Sequence, residues 1–197
     1  MHVPVLLEET IEGLALKSGA TVLDGTLGEG GHAKEFCSRI GKKGKLIGLD
    51  QDEDILEKTK RKLIECPLIG VHANFRDLDI VLKQLKINKL DGALFDLGLR
   101  SGQLDDSGRG FSYRKDEPLL MTFVSVPENG QLTAREIVNE WSEEEISSVL
   151  KECGEEPFSR RIAAGIAEHR KEEQIETTAQ LVAIIQESVP QKYQRGR

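Results

Sequence analysis

The residues whose types and spacing suit chemistry begin at Asp24-Gly25-Thr26-Leu27-Gly28-Glu29-Gly30-Gly31-His32. Glycine here lets backbone pass close to a ligand with no side chain in the way. An apolar run over Thr21 to Leu23 precedes the turn and a helical pattern over His32 to Ile40 follows it. Strand, glycine turn and helix together read as the nucleotide-binding half-unit of a doubly wound α/β fold. Taken as GxGxxA, Gly28 to Ala33 also fits a dinucleotide site, a weak match by itself, and a purely structural glycine turn is the competing reading.

Asp24 bears on the choice. A carboxylate at the end of the first strand repels a pyrophosphate but suits the amino group and sulfonium of S-adenosylmethionine. Asp50 closes the second strand, where an acidic side chain commonly accepts hydrogen bonds from ribose hydroxyls, as both nucleotide readings require. Phe75 follows the third strand, placed either against an adenine face or in the core. Asp96 ends the fourth strand at the edge where ligands gather, with capping of the next turn as its alternative role. His32 opens a helix beside the turn and is a candidate ligand contact, whereas His72 sits in a strand and is expected to be packed. No HExxH or paired-ligand spacing supports a metal. Cys37, Cys66 and Cys153 are odd in number and lack CxxC spacing, so neither a disulfide framework nor a zinc site is expected, and each reads as a small buried or half-buried residue.

These residues need elements to hold them. Apolar runs at Thr21 to Leu23, Leu46 to Leu49, Leu68 to Val71 and Leu90 to Phe95 lie about one helical crossover apart, as in a parallel sheet. Helical spacing fills His32 to Ile40, Asp52 to Ile64 and Leu78 to Leu85, and Pro4 to Leu16 has the pattern of an amphipathic helix ahead of the sheet. From Leu97 to Asn129 the chain reads as a long functional loop, with a short strand considered over Leu119 to Val126. Helices are then expected over Thr133 to Asn139, Ser142 to Lys151 with Ser142 and Glu145 as a capping box, Pro157 to Lys171, and Thr178 to Val189. The fold class is therefore α/β, with a Rossmann-like cofactor-binding domain over 1–112 and an all-α subdomain over 113–197.

The 197-residue chain is 38% hydrophobic and 31% charged, with no apolar run long enough for a membrane span and no signal-peptide pattern, so an intracellular, cytoplasmic protein without a membrane partner is expected. The net charge of −7 counts against nucleic-acid binding by bulk electrostatics. A nucleic-acid role needs a local basic patch, such as Arg100, Arg109, Arg114 and Lys115, for which solvated surface charge is the simpler account.

HVPVLLEE at His2 to Glu9, LDGTLGEGGH at Leu23 to His32, GLDQD at Gly48 to Asp52, and DGALFDLG followed by QLDDSGRGFSYRKDEPL closely resemble the bacterial ribosomal RNA small-subunit methyltransferase H family. GEEPFSRRIAAGIAEHR at Gly154 to Arg170 resembles that family's helical insert. The resemblance implies an S-adenosylmethionine-dependent methyltransferase fold that methylates the exocyclic N4 amine of a cytidine in the decoding centre of 16S rRNA, within the small ribosomal subunit. It implies cofactor contacts from Gly30, Gly31, His32, Asp50, Phe75, Asp96 and Gln103, and leaves a homodimer open. The loop from Leu104 to Lys115 would face RNA, with Arg109, Arg114 and Lys115 near phosphates and Phe111 or Tyr113 stacking on a base. Methyl transfer would be direct, with Asp96 as the catalytic acceptor, since no Pro-Cys dipeptide offers a covalent nucleophile.

Two departures stand out. The family's DLGVSSPQLD is DLGLRSGQLD here, and its PLDMRMD is Pro118-Leu119-Leu120-Met121-Thr122-Phe123. Family members also continue into further strands of a seven-stranded sheet, so a C-terminally truncated methyltransferase is expected. A non-catalytic cofactor-binding or ribosome-binding module is the alternative, and a nicotinamide-dependent oxidoreductase is disfavoured by Asp24.

Overall fold

Four short apolar runs separated by helical crossovers pair into a parallel sheet. β1 (Thr21–Asp24), β2 (Lys45–Asp50), β3 (Leu68–His72) and β4 (Gly92–Leu94) lie in the order β3-β2-β1-β4. The structure, a computed structural model, describes residues 4–99, 107–124, 126–127 and 130–194. Contacts divide the chain into two units, Met1–Gly98 and Leu99–Arg197.

In the first unit the chain steps outward from β1 to β2 to β3 and then returns to pair β4 on the other side of β1. That reversal opens a crevice at the carboxyl ends of β1 and β4, where open α/β sheets take their ligands. Asp24 lies opposite Gly48 on one side and Leu94 on the other, while β2 runs on to Asp50, opposite His72. Both faces are covered. Val22 and Leu46 pack with Phe36 and Ile40 of α2 (Gly31–Ile40), Leu56 of α3 (Glu53–Lys62), and Leu63 just beyond it. Leu23, Ile47 and Leu49 turn the other way, against Val81 of α4 (Leu78–Gln84). Covered helically on both sides, these strands read as continuous apolar runs. This is the Rossmann-like half expected from the sequence.

Several details differ from expectation. α1 spans only Leu7–Leu14, because Leu6 and Ala15 both take left-handed backbone and end the helix at either side. Cys37 of α2 and Cys66, just ahead of β3, are joined as a disulfide, their Cα atoms 5.5 Å apart, which corrects the expectation of unpaired small residues. The sequence conceals this pair because 29 positions separate two residues that α3 brings together. Cys153 is free and exposed.

The second unit is helical. α5 (Ala134–Glu140), α6 (Glu143–Glu152), α7 (Ser159–His169), α8 (Thr178–Ser188) and α9 (Gln191–Gln194) follow in order. Leu119, Val138, Ile146, Ile162, Ile166, Ile175 and Ile184 form its core. The described residues of 119–126 form no strand. Their backbone is engaged elsewhere: Leu119 N–H donates to the Glu176 carbonyl, and the Leu119 and Leu120 carbonyls accept from Arg135 and Ala134, leaving one isolated bridge between Pro118 and Thr177. No helix among the described residues is long and apolar enough to cross a membrane.

Candidate cofactor site

The turn after β1 is fixed from the strands and from α3. Gly25 N–H donates to the Leu94 carbonyl and Leu27 N–H to the Leu49 carbonyl, each at 2.9 Å, which ties the turn to β4 and β2. Gly28 N–H donates to Asp50 Oδ2 at 2.9 Å, and Asp52 N–H to Asp50 Oδ1 at 2.9 Å. From α3, the buried Thr59 hydroxyl donates to the Gly28 carbonyl at 2.7 Å and Lys62 Nζ to the Glu29 carbonyl at 3.0 Å. Gly30 then starts α2 in left-handed backbone, φ 77°, where an added Cβ would lie 2.8 Å from Thr59 Cγ2. A side chain here would be strained and obstructed at once.

Gly30 has no side chain with which to cap α2, so no side-chain hydrogen bond closes this helix start. Orphan N–H groups at a helix start attract anionic groups. Gly31 and His32 supply its first positions. The His32 ring turns away: it is buried and its Nε2–H donates to the Val5 carbonyl at 3.2 Å, since a carbonyl can only accept. What His32 presents towards the turn is backbone.

Asp24 is 2% exposed. Its Oδ1 accepts from Thr26 N–H at 3.1 Å, and among the described residues its Oδ2 has no hydrogen-bond donor. Burial pushes its carboxyl up to about 7, against the lowering effect of the Thr26 N–H, and the charges of Asp50 and Asp96 push the same way. Asp96 is exposed, and its N–H donates to Thr26 Oγ1 at 2.8 Å, which pins the segment after β4 to the glycine turn. Carboxylates from three strand ends thus converge on one edge.

Two aromatics border that edge. Phe75 is 38% exposed and meets Phe95 edge to face, ring centroids 5.8 Å apart. The Phe95 ring occupies the space a Cβ on Gly25 would need, so Gly25 is required for this close approach. Phe75 is therefore linked through Phe95 to the turn and is not a core residue. His72, expected to be packed, is exposed at the end of β3, with Nε2 2.9 Å from the Gln51 carbonyl, because β3 is the outer strand.

The remaining candidates lie in the second unit. Gln103 falls outside the described residues. Arg109 is 7% exposed and its Nη1 donates to the Phe123 carbonyl at 2.6 Å. Phe111 is half-buried, its ring 6.3 Å from that of Phe123, while Tyr113, Arg114 and Lys115 are exposed. Among the described residues no cluster of His, Cys, Asp and Glu is arranged to hold a metal. A cavity of about 430 Å³ beside Cys37 and Cys66, lined by Lys34, Lys42 and Lys62, contains none of the candidate residues.

Thr26, Thr59 and Phe95 were not singled out from the sequence. Thr59 carried a signal: with Leu56 it forms the buried face of α3, and a hydroxyl there needs a partner. Thr26 and Phe95 carried none, because their roles depend on β4 lying beside β1.

The sheet order, the glycine turn and the carboxylates at the switch point define a Rossmann-like unit for a nucleoside-containing cofactor. The chain belongs to the MraW methylase family, whose sequence profile matches residues 1–197. It is 48% identical over 195 residues to ribosomal RNA small subunit methyltransferase H of Clostridium botulinum, covering 98% of this chain and 62% of the relative. The protein of the same name from Acetivibrio thermocellus is 45% identical, covering 99% of this chain and 63% of the relative. The chain thus spans a little under two thirds of the length of these relatives. Among solved structures, a SAM-dependent O-methyltransferase from Thermotoga maritima matches with a TM-score of 0.36 and 15% identity, covering 39% of this chain and 31% of that one.

Proposed function

We propose that this chain binds S-adenosylmethionine and, in the setting of the whole protein, methylates the N4 amine of a cytidine in the decoding centre of 16S rRNA in cytoplasmic small ribosomal subunits. The observation that carries the cofactor reading is Asp24, a buried carboxyl at the switch point with an oxygen that has no donor among the described residues. An orphaned buried acceptor fits a cationic ligand and fits a pyrophosphate poorly. The uncapped start of α2 at Gly30, Gly31 and His32 suits the cofactor's carboxylate, Asp50 its ribose hydroxyls, and Phe75 one face of its adenine. When bound, the cofactor supplies an electrophilic methyl group.

The chain's own residues then have three tasks. Asp24 and the turn orient the cofactor, and the Phe75–Phe95 pair shields one side of it from water. Tyr113, Arg114 and Lys115 meet the RNA, by stacking and by phosphate contact, with Phe111 and Arg109 shaping the loop that carries them. Asp96 accepts a hydrogen bond from the exocyclic amine, which is otherwise a weak nucleophile because its lone pair is shared with the ring, and it holds the proton that the amine gives up. A flipped cytosine brings that amine within reach.

The alternative is a module that binds cofactor without turning it over. The test is a thermal shift with S-adenosylhomocysteine and with NAD, followed by methyl transfer to small ribosomal subunits. A shift with the first ligand alone, and turnover abolished by Asp96→Ala, is the expected result. A shift without turnover supports the module, a shift with NAD alone overturns the cofactor assignment, and normal turnover by Asp96→Ala removes Asp96 from the chemistry.

A further inference from the structure

Resting on the cofactor reading above, we propose that Asp24 is the residue through which this site selects a cationic cofactor, and that it gives up a proton when the cation arrives. Two geometric facts carry this, and the charges around the group act in the same direction. Asp24 is 2% exposed at the carboxyl end of β1, so its charge is poorly solvated. Among the described residues only one of its oxygens has a donor, the Thr26 N–H. The acidic groups that bear on it, Asp50 at the end of β2 and Asp96 after β4, are both of its own sign.

Among the described residues, the surrounding elements bring no compensating cation to it. On α2, the His32 ring is committed to the Val5 carbonyl. On α3, Lys62 is committed to the Glu29 carbonyl, and Asp52 caps its own helix by accepting from Ile55 N–H. A lone buried carboxyl beside two carboxylates is driven to keep its proton, and its titration near neutrality follows from that arrangement. A cation placed at the switch point reverses the balance, because it favours the charged form. The balanced step is Asp24 carboxylic acid plus cationic ligand giving the ligand–carboxylate pair plus one proton, released to solvent.

The consequence is a pH-linked affinity. Below neutrality the incoming cation must displace the proton, so binding strengthens by up to about tenfold per pH unit and then levels off above roughly pH 7.5. The cofactor's own α-amino group titrates in an adjacent range. Asp24→Asn, which keeps the shape and loses the charge, therefore supplies the baseline.

The experiment is calorimetric titration of the full chain with S-adenosylmethionine at pH 6 and pH 8, in two buffers of different ionisation enthalpy, for the wild type and for Asp24→Asn. At pH 6 the wild type should release close to one more proton per ligand bound than the variant, and at pH 8 the two should release about the same number. At pH 8 the variant should bind about tenfold or more weakly, with a flatter pH profile. Repeating the titration with S-adenosylhomocysteine places the cation: release with both ligands assigns the amino group, and release with S-adenosylmethionine alone assigns the sulfonium. Equal proton release by wild type and variant at pH 6 overturns this proposal and leaves the cofactor reading standing. No binding at either pH by a cooperatively folded wild type overturns both.

Discussion

In the second unit three of the helix starts are closed by their own side chains, whereas at the glycine turn of the first unit the helix start is left open. α5, α6 and α8 each begin with a capping box, Thr133 with Glu136, Ser142 with Glu145 and Thr177 with Gln180, so that side chain and backbone satisfy each other reciprocally. α2 begins at a left-handed glycine with no side-chain cap, next to a buried carboxyl one of whose oxygens has no donor among the described residues. The first unit is no poorer in means, since Asp52 caps α3 by accepting from Ile55 N–H. Other helix starts, at Leu6, Asp77 and Phe158, also lack a side-chain cap, but what sets the α2 start apart is the buried carboxyl of Asp24 beside it, where β1 and β4 part. Unsatisfied groups gathered at one sheet edge mark a site where a ligand completes the hydrogen bonding, and fully satisfied groups mark structure.

The sharpest way to test this contrast is the pH dependence of stability. Asp24 has its folded-state pKa raised to about 7 from 3.8. The folded protein therefore holds this proton more tightly than the unfolded chain. The penalty is absent below the unfolded value, grows as pH rises between the two values, and is fully present above the folded one. In the absence of cofactor, Asp24→Asn should be more stable than wild type at pH 8 by on the order of 3 kcal/mol and about equal to it near pH 4. Urea unfolding followed by circular dichroism at both pH values checks this. A variant less stable at pH 8 would mean that Asp24 is a satisfied structural residue.

A comparable effect is expected from the link between Cys37 and Cys66. Closing a loop across 29 positions constrains the unfolded chain by about 3 kcal/mol in the chain-entropy account. Cys66→Ser should lower the unfolding midpoint of the first unit accordingly. Trp141, the chain's single tryptophan, lies in the second unit, and its fluorescence transition reports that unit separately. The smallest change is expected from Ser142→Ala, which removes the α6 cap at a cost of about 1 kcal/mol read through Trp141, with cofactor affinity unchanged. Loss of cofactor binding in that variant would break the division between an open site and a closed scaffold.

The parallel sheet was legible because strands buried on both faces leave apolar runs, and the glycine turn because few other functions need that spacing. Asp50 was legible from its place at the end of β2. The capping box at Ser142 and Glu145 was read directly, since it is a local code. What stayed hidden depends on distance in sequence. The Cys37–Cys66 pair needs α3 folded back beside α2, and Phe95 over Gly25 needs β4 placed next to β1. His72 looked buried from its neighbours, yet the sheet order puts its strand on the outside. The segment from Leu119 looked like a strand because its side chains are apolar, but its backbone bonds go to residues near Glu176 and to the start of α5. Arg109 reads from sequence as surface charge, but it is buried and its Nη1 donates to a carbonyl 14 residues away, a pairing the sequence does not show.

The measurement that tests the central claim most directly is calorimetric titration of the full chain with S-adenosylmethionine at pH 8, alongside Asp50→Ala. The wild type should bind one cofactor. The variant, which loses the acceptor for Gly28 N–H and the proposed ribose contact, should bind at least about tenfold more weakly while still unfolding cooperatively. Absence of binding by the folded wild type, or equal binding by the variant, would contradict the assignment of this sheet edge as the cofactor site.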